Sequence, residues 1–192
     1  MARPREFDET AALDAAVEHF WLRGYESTSV RELAAAMGIT AASLYNAFGD
    51  KRALFKMALA RYIETSIEGR AIREHESTVH AIEVFFDDIV NFSLKDKDQK
   101  GCLLVNSALQ LSDDDADLKR DLSDVFIEIE TFFERAITKG QEQGEVSSGL
   151  PATDLARLLL GALLGIRVLA RVRPNRALLE GIARSALLVL KV

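Results

Sequence analysis

The chain has 192 residues, a formal net charge of −6 and one cysteine. The negative charge argues against indiscriminate binding to nucleic acid. A single cysteine excludes an intramolecular disulfide and suits a reducing compartment. With three prolines and few β-branched runs, the composition predicts an all-helical protein with a substantial core. The N-terminus lacks the apolar stretch of a signal peptide, so we expect a cytoplasmic protein.

A short cationic arm, Arg3 and Arg5, precedes the first predicted helix. Such an arm can enter a DNA minor groove, but the same residues can also fray at a terminus, and both interpretations stay open. The helix follows over residues 8 to 23, where Val17 and Phe20 belong to one apolar stripe.

The stretch from 29 to 48 predicts two short helices separated by a tight turn. Ser29 and Glu32 have the spacing of a capping box, and Gly38 can adopt the left-handed conformation that ends a helix. Thr40 would cap the second helix, whose small and polar residues would point away from the core. This pattern is typical of a helix-turn-helix that presents its second helix to the major groove. A structural corner between two helices fits it equally well.

Asp50 predicts the start of a long helix that carries Leu54, Phe55 and Tyr62 and continues as a linker over residues 64 to 75. Two segments now resemble the DNA-binding domain of TetR/AcrR-type transcriptional regulators. They are Arg23-Gly-Tyr-Glu-Ser-Thr-Ser-Val30 and Leu44-Tyr-Asn-Ala-Phe-Gly-Asp-Lys-Arg-Ala-Leu-Phe55. The resemblance covers residues 10 to 60.

The resemblance implies a DNA-binding repressor with a helix-turn-helix domain over residues 1–55. A helical effector-binding and dimerisation domain would occupy residues 56–192. Matched positions would contact the DNA backbone, namely Thr28, Thr40, Tyr45 and Lys51. Others would meet base edges, namely Ala42, Ser43 and Asn46. These residue types suit the implied roles, since hydroxyls and lysine bind phosphates and asparagine can pair with adenine. Ala41, Ala42 and Asn46-Ala47 depart from the usual family residues, which leaves the operator sequence open.

The rest of the chain predicts helices over residues 81–94, 102–111, 116–139, 152–172 and 176–190, with a loop over 140–151. The stretch 155–172 contains three arginines on one side, so it predicts an amphipathic helix and not a membrane span. The last two helices are apolar nearly all round, which predicts a C2 dimer. Its interface would include Leu160, Leu164 and Leu187.

The phenylalanines between residues 85 and 133 can form either a core or, as the resemblance implies, an effector pocket. The expected pocket residues are Phe85, Ile89, Phe92, Cys102, Asn106, Phe126, Phe133 and Arg167. A reactive Cys102 is one hypothesis, because a helix start and nearby lysines lower a thiol pKa, and some TetR-type sensors resemble this segment. Burial beside Leu103 and Leu104 would do the opposite, and the sequence favours burial.

Other classes of function find little support in the pattern. The sequence has no phosphate-binding loop, no metal-ligand spacing and no local catalytic signature, so we predict no cofactor, metal site or enzyme activity. Two alternatives remain open. One is an all-helical ligand carrier or enzyme with a structural αα-corner, and the other is a protein–protein adaptor that uses residues 41 to 46.

Overall fold

The computed structural model describes residues 7–73 and 78–191, and within these ranges it contains helices and no strand. The all-helical prediction is confirmed. The helices are α1 (Glu9–Arg23), α2 (Val30–Ala36), α3 (Ala41–Phe48), α4 (Lys51–Thr65), α5 (Ile67–Arg73), α6 (Val79–Lys95), α7 (Leu103–Ala108), α8 (Ala116–Glu142), α9 (Ala152–Val172) and α10 (Arg176–Leu188). The expected DNA-binding arm, Arg3 and Arg5, lies outside the described residues.

Helices α1 to α4 pack around one aromatic and aliphatic core. Phe20, Leu33, Leu44 and Phe55 are fully buried there, and the Phe20 and Phe55 rings meet edge to face with centroids 4.9 Å apart. Side-chain caps fix where these helices begin. Asp8, Ser29, Thr40 and Asp50 each accept a hydrogen bond from a backbone N–H in the first turn. This matches the way unsatisfied N–H groups are usually paired at helix starts.

The turn between α2 and α3 follows the predicted chemistry. The reciprocal capping box of Ser29 and Glu32 is present, and Gly38 adopts a φ of +67°. A residue with a β-carbon is strained at that φ, so glycine suits the position. The sequence interpretation of this segment as two capped helices around a glycine turn is confirmed.

The prediction that α4 continues as a linker helix over residues 64–75 is wrong within the described residues, because α4 ends at Thr65; residues 74 and 75 lie outside them. Ser66 adopts an extended conformation with ψ of 162°, and its Oγ accepts a hydrogen bond from the Gly69 N–H, 3.0 Å away. Ser66 therefore caps a separate helix, α5, which is the ordinary action of a serine at an N-cap. A joint replaces the continuous helix.

The C-terminal helices pack around a second apolar cluster. Phe85 and Phe133 meet edge to face with centroids 5.4 Å apart, and both are buried between α6 and α8. The predicted ends shift by a few residues here: α7 ends at Ala108, α8 runs on to Glu142 and α10 ends at Leu188. Among the described residues, none of the helices is long and apolar enough to cross a membrane.

Candidate functional sites

Helix α3 presents a polar, uncovered face. Leu44 and Phe48 anchor it in the core, while Ala42, Tyr45 and Asn46 are exposed on the opposite side. Tyr45 keeps 53% of its surface accessible although it is aromatic. Because the buried anchors fix the rotation of a short helix, the exposed residues have a defined orientation.

Two hydroxyls close the start of α3. Thr40 Oγ1 accepts from the Ser43 N–H at 3.1 Å, and the Thr40 and Ser43 hydroxyl oxygens are 2.9 Å apart. When Ser43 donates within this pair, the Thr40 hydroxyl proton is available to an outside acceptor such as a phosphate oxygen. Ser43 is half-buried and already engaged, so its hydroxyl is less available than that of Thr40.

Lys51 lies beside this face, at the first turn of α4. Its Nζ is 4.4 Å from the centroid of the Tyr25 ring and 3.5 Å from the Glu26 carbonyl oxygen. A cation over an aromatic face is held by the negative potential of the ring. These contacts hold the ammonium close to the loop that precedes α2.

Thr28 occupies a different place from the one that the sequence resemblance implied. It is 3% exposed, and its hydroxyl donates to the Gly24 carbonyl oxygen at 2.6 Å. The hydroxyl therefore supports the turn between α1 and α2 and is not presented at the surface. Arg52, the residue after Lys51 on α4, pairs with Asp115 and Asp117.

Several polar contacts connect the α1–α4 unit to the rest of the chain. Gln110 Oε1 accepts from the Tyr25 N–H at 3.1 Å. Lys100, in the loop between α6 and α7, donates to both carboxylate oxygens of Glu18 on α1, at 2.9 and 3.2 Å. Lys56 on α4 pairs with Asp121 on α8 at 2.9 Å. These contacts link the C-terminal helices directly to α1, to α4 and to the turn after α1.

A cavity of about 590 Å³ lies where these two parts meet. This volume is in the range of small-molecule sites. The cavity is lined by Asp14, Val17, Glu18, Trp21, Arg61, Tyr62, Thr65, Ser66, Ile67, Arg70, Phe92, Lys100 and Arg167. The lining combines three aromatic rings with four cationic side chains.

The lining differs from the pocket expected from the sequence. Of the residues expected in an effector pocket, Phe92 and Arg167 line this cavity, and Phe85 lines a neighbouring one of about 480 Å³. Ile89, Cys102 and Phe133 are buried in the core because they fill the interior between packed helices. Asn106 is buried too, with its amide donating to the Lys100 carbonyl oxygen at 2.8 Å, and Phe126 packs half-buried against the core.

Sequence reasoning missed the α1 and α4 contributions to this cavity. Trp21 is the single tryptophan of the chain, and its indole N–H is buried without a hydrogen-bond acceptor among the described residues. Because buried donors are nearly always paired, this group marks a donor that the fold itself does not use. The position of Trp21 on α1, directly after Phe20, gives no sign that its ring lines a cavity.

A buried ion pair closes one side of the cavity. Arg167 donates to Glu68 Oε1 through Nε at 2.9 Å and through Nη2 at 2.6 Å, and each side chain is 2% exposed. Burial has the largest single effect and lowers the pKa of Arg167, but Glu68, Tyr62 and Cys102 together outweigh it and raise that pKa. Arg167 is therefore a permanent cation between α5 and α9.

An apolar groove of about 640 Å³ runs between α9 and α10. Leu158, Ala162, Ile182 and Val189 are among its lining residues. The residues expected at a dimer interface, Leu160, Leu164 and Leu187, lie elsewhere on these helices, half-buried against the core of their own chain. A β-carbon on any of three helical glycines, Gly161, Gly165 and Gly181, would meet no atom within 4 Å.

Comparison with known proteins decides the family. The model of the bacterial regulatory proteins of the tetR family matches residues 12–58, and the tetracyclin repressor-like C-terminal domain matches residues 78–186. The chain belongs to the TetR family. It is a DNA-binding transcriptional regulator, and the two matched regions coincide with the α1–α4 unit and the helices that follow α5.

Individual relatives of this TetR-family chain extend over most of its length. The HTH-type transcriptional repressor ComR of Escherichia coli K12 is 34% identical, over 88% of this chain and 82% of ComR. The uncharacterized regulator YezE of Bacillus subtilis 168 is 33% identical, over 90% of both. A cysteine-substituted variant of the TetR family regulator CifR, complexed with a 26-base-pair operator DNA, superimposes with a TM-score of 0.87 at 30% identity and covers 98% of this chain and 100% of CifR.

Proposed function

We propose that the protein is a homodimeric repressor that binds a palindromic operator through α3 and leaves it when an effector binds. The observation that carries the proposal is the uncovered polar face of α3, anchored from behind by Leu44 and Phe48. A helix held in this way can lie in a major groove, where base edges carry a readable pattern of donors and acceptors. A cytoplasmic location follows from access to chromosomal DNA.

The exposed residues divide into two roles. Thr40, Tyr45 and Lys51 supply a hydroxyl, a phenol and an ammonium at the edges of the helix, which are suitable donors to phosphate oxygens. Asn46 and Ala42 lie on the exposed face itself, where an amide can pair with adenine and a methyl group can contact thymine. Thr28 is left out, because its hydroxyl is buried and donates to Gly24.

The proposed binding to a palindrome requires a dimer, and the structure offers a surface that could join two copies. The groove between α9 and α10 is apolar, and Gly181, which lines it, leaves room for close helix approach. Two copies joined there would form a four-helix interface with twofold symmetry. The two reading helices would then face half-sites related by the same symmetry, which predicts a palindrome.

Selection of bound duplexes from a random pool tests the proposal directly. We expect recovery of a palindrome, and a protein that selects no sequence would contradict the proposal. Lys51→Ala should weaken binding to all duplexes similarly, because its contact would be to phosphate, whereas Asn46→Ala should alter preference at one base position by about 1–3 kcal/mol. Lys139→Ala is the matched control, since Lys139 is an exposed cation on α8. Equal loss for all sequences with Asn46→Ala would show that Asn46 does not read a base.

The relatives favour this function over an all-helical carrier or enzyme, and over a protein–protein adaptor. ComR is described as a transcriptional repressor, and CifR was complexed with operator DNA. A carrier with a structural αα-corner would show no salt-dependent binding to duplex DNA and would select no sequence. The same selection experiment therefore separates the alternatives.

A further inference from the structure

We propose that the cavity between α1, α4, α5, α6 and α9 binds a small organic carboxylate with an aromatic or flat apolar body. The inference rests on the proposed function, because such a ligand would serve as the effector. The site differs from the pocket expected in the phenylalanine cluster, since its walls include Trp21 and Glu18 from the first helix of the DNA-binding unit.

The aromatic walls select the body of the ligand. Trp21 and Tyr62 meet edge to face with centroids 4.9 Å apart, and the Trp21 and Phe92 rings are nearly parallel, 6.4 Å apart. Flat apolar groups gain from both burial and ring–ring contact at such surfaces. Phe92 is half-exposed, so this ring also offers apolar area that the fold leaves uncovered.

Cationic donors select the charge of the ligand. Four lining residues are cations, and two, Lys100 and Arg167, have side chains that are 14% and 2% exposed. Lys100 Nζ is 4.4 Å from the Trp21 ring centroid, so this positive charge lies beside the aromatic wall. The indole N–H of Trp21 adds an unused donor to the same wall. Carboxylates form strong charge-assisted hydrogen bonds with such donors.

A ligand carboxylate can bind Lys100 by replacing Glu18 as its ion-pair partner. Lys100 now pairs with Glu18, whose side chain is 53% exposed while that of Lys100 is 14% exposed. The Glu18 side chain can rotate into solvent at little cost, whereas the Lys100 side chain remains largely buried in the cavity. A ligand carboxylate that replaces Glu18 keeps the charge balance of the site and removes a contact between the α6–α7 loop and α1. Occupancy thereby changes how α1 is held, which couples the ligand to operator binding.

The single tryptophan makes the site directly observable. Emission from Trp21 is recorded in the full-length protein during titration with 3-phenylpropionate and, separately, with 3-phenylpropionamide. We expect a saturable change for both, with the carboxylate binding about tenfold more tightly because only it gains the charged contact. Equal affinities, or no saturable change with either compound, would overturn the proposal.

Two variants with opposite expected effects locate the site. Lys100→Met should remove the preference for the carboxylate, and Glu18→Gln should tighten carboxylate binding several-fold because the competing internal carboxylate is gone. Lys139→Met and Glu128→Gln are matched exposed controls on α8 and should change neither affinity. Since Glu18 is a surface residue, its variant stays informative even when Lys100→Met folds poorly. Unchanged carboxylate affinity in Glu18→Gln would overturn the assignment.

Operator binding, measured with the same preparations, distinguishes a failure of the ligand site from a failure of the proposed function. A wild-type protein that selects an operator but shows no Trp21 response contradicts the ligand site alone. A protein that binds the carboxylate selectively and no duplex contradicts the regulator function alone. When both hold, the operator Kd should rise as the carboxylate saturates Trp21, and an operator Kd that is unchanged at saturation would overturn the coupling.

Discussion

Cys102 illustrates how one residue can take opposite roles in the same sequence pattern. Its side chain is 2% exposed, and its Sγ lies 3.7 Å from Glu68 Oε1 and 3.6 Å from the Tyr62 hydroxyl oxygen. Burial, with the Glu68 carboxylate as a second cause, raises the pKa of the thiol to about 11. The expected lysines do not reverse this, because Lys100 pairs with Glu18 at the cavity and not with the thiol. The structure supports the buried alternative.

We therefore predict that Cys102 of the folded protein reacts slowly with N-ethylmaleimide. Raising the pKa from 9.0 to about 11 lowers the thiolate fraction at neutral pH by about a hundredfold, and burial adds a barrier to access. Mass spectrometry of timed samples measures the rate. Leu109→Cys combined with Cys102→Ser is the matched control, since Leu109 is 79% exposed. Native Cys102 that reacts as fast as this introduced cysteine would restore the sensor hypothesis.

At the scale of elements, the joint between α4 and α5 is the main feature that the sequence pattern did not reveal. The apolar spacing of α4 continues into the next residues, so periodicity predicts one helix. Ser66 instead ends α4 and caps α5, and Gly69 packs so closely that a β-carbon would overlap the Ile63 carbonyl oxygen. The joint places Glu68 where it meets Arg167.

Gly69→Ala tests this joint, because a continuous helix and the observed joint predict changes of opposite sign in the free energy of unfolding. In a continuous helix, alanine would stabilise the protein by about 0.5–1 kcal/mol relative to glycine. At the observed joint the added β-carbon meets backbone, and we expect a loss of about 1–3 kcal/mol in the free energy of unfolding, measured with urea. Arg70→Ala, on the same helix and half-exposed, should change stability by less than about 1 kcal/mol. A more stable Gly69→Ala protein would favour the continuous helix.

Local signals explain what could be predicted at this scale. The caps at Ser29, Thr40 and Asp50 depend on residues a few positions apart, so sequence spacing suffices to find α2, α3 and the start of α4. The cavity could not be found in this way, because Trp21 and Arg167 are distant in sequence and meet only after the helices pack. The buried phenylalanines were equally consistent with a core or a pocket until packing decided it.

At the scale of the molecule, two exposed surfaces differ in polarity. The α3 face is polar, while the groove between α9 and α10 is apolar and includes Leu158 and Val189 among the exposed large hydrophobic residues. Contiguous apolar surface of this kind usually marks an interface. Covering the groove with a second copy would bury it and leave both α3 faces open to DNA.

The last prediction concerns this dimer and separates the groove from the residues that the sequence indicated. Leu158→Glu places a charge in the groove without entering the core of its own chain, since Leu158 is half-exposed. We expect a folded monomer, with the dimer Kd raised about a hundredfold or more by like charges facing across the twofold axis. Leu164→Glu should lower stability as well, because Leu164 packs against the core. Sedimentation equilibrium and thermal unfolding measure the two effects.

Ile127→Glu provides the matched control for that comparison, because Ile127 is an exposed aliphatic residue of α8 outside the groove. It should remain dimeric and bind the selected operator as the wild type does. Leu158→Glu should bind the operator more weakly, since a monomer loses the second half-site and with it the gain from linked binding. A wild-type protein that is monomeric at micromolar concentration, or a Leu158→Glu variant that stays dimeric, would show that the groove does not join two copies.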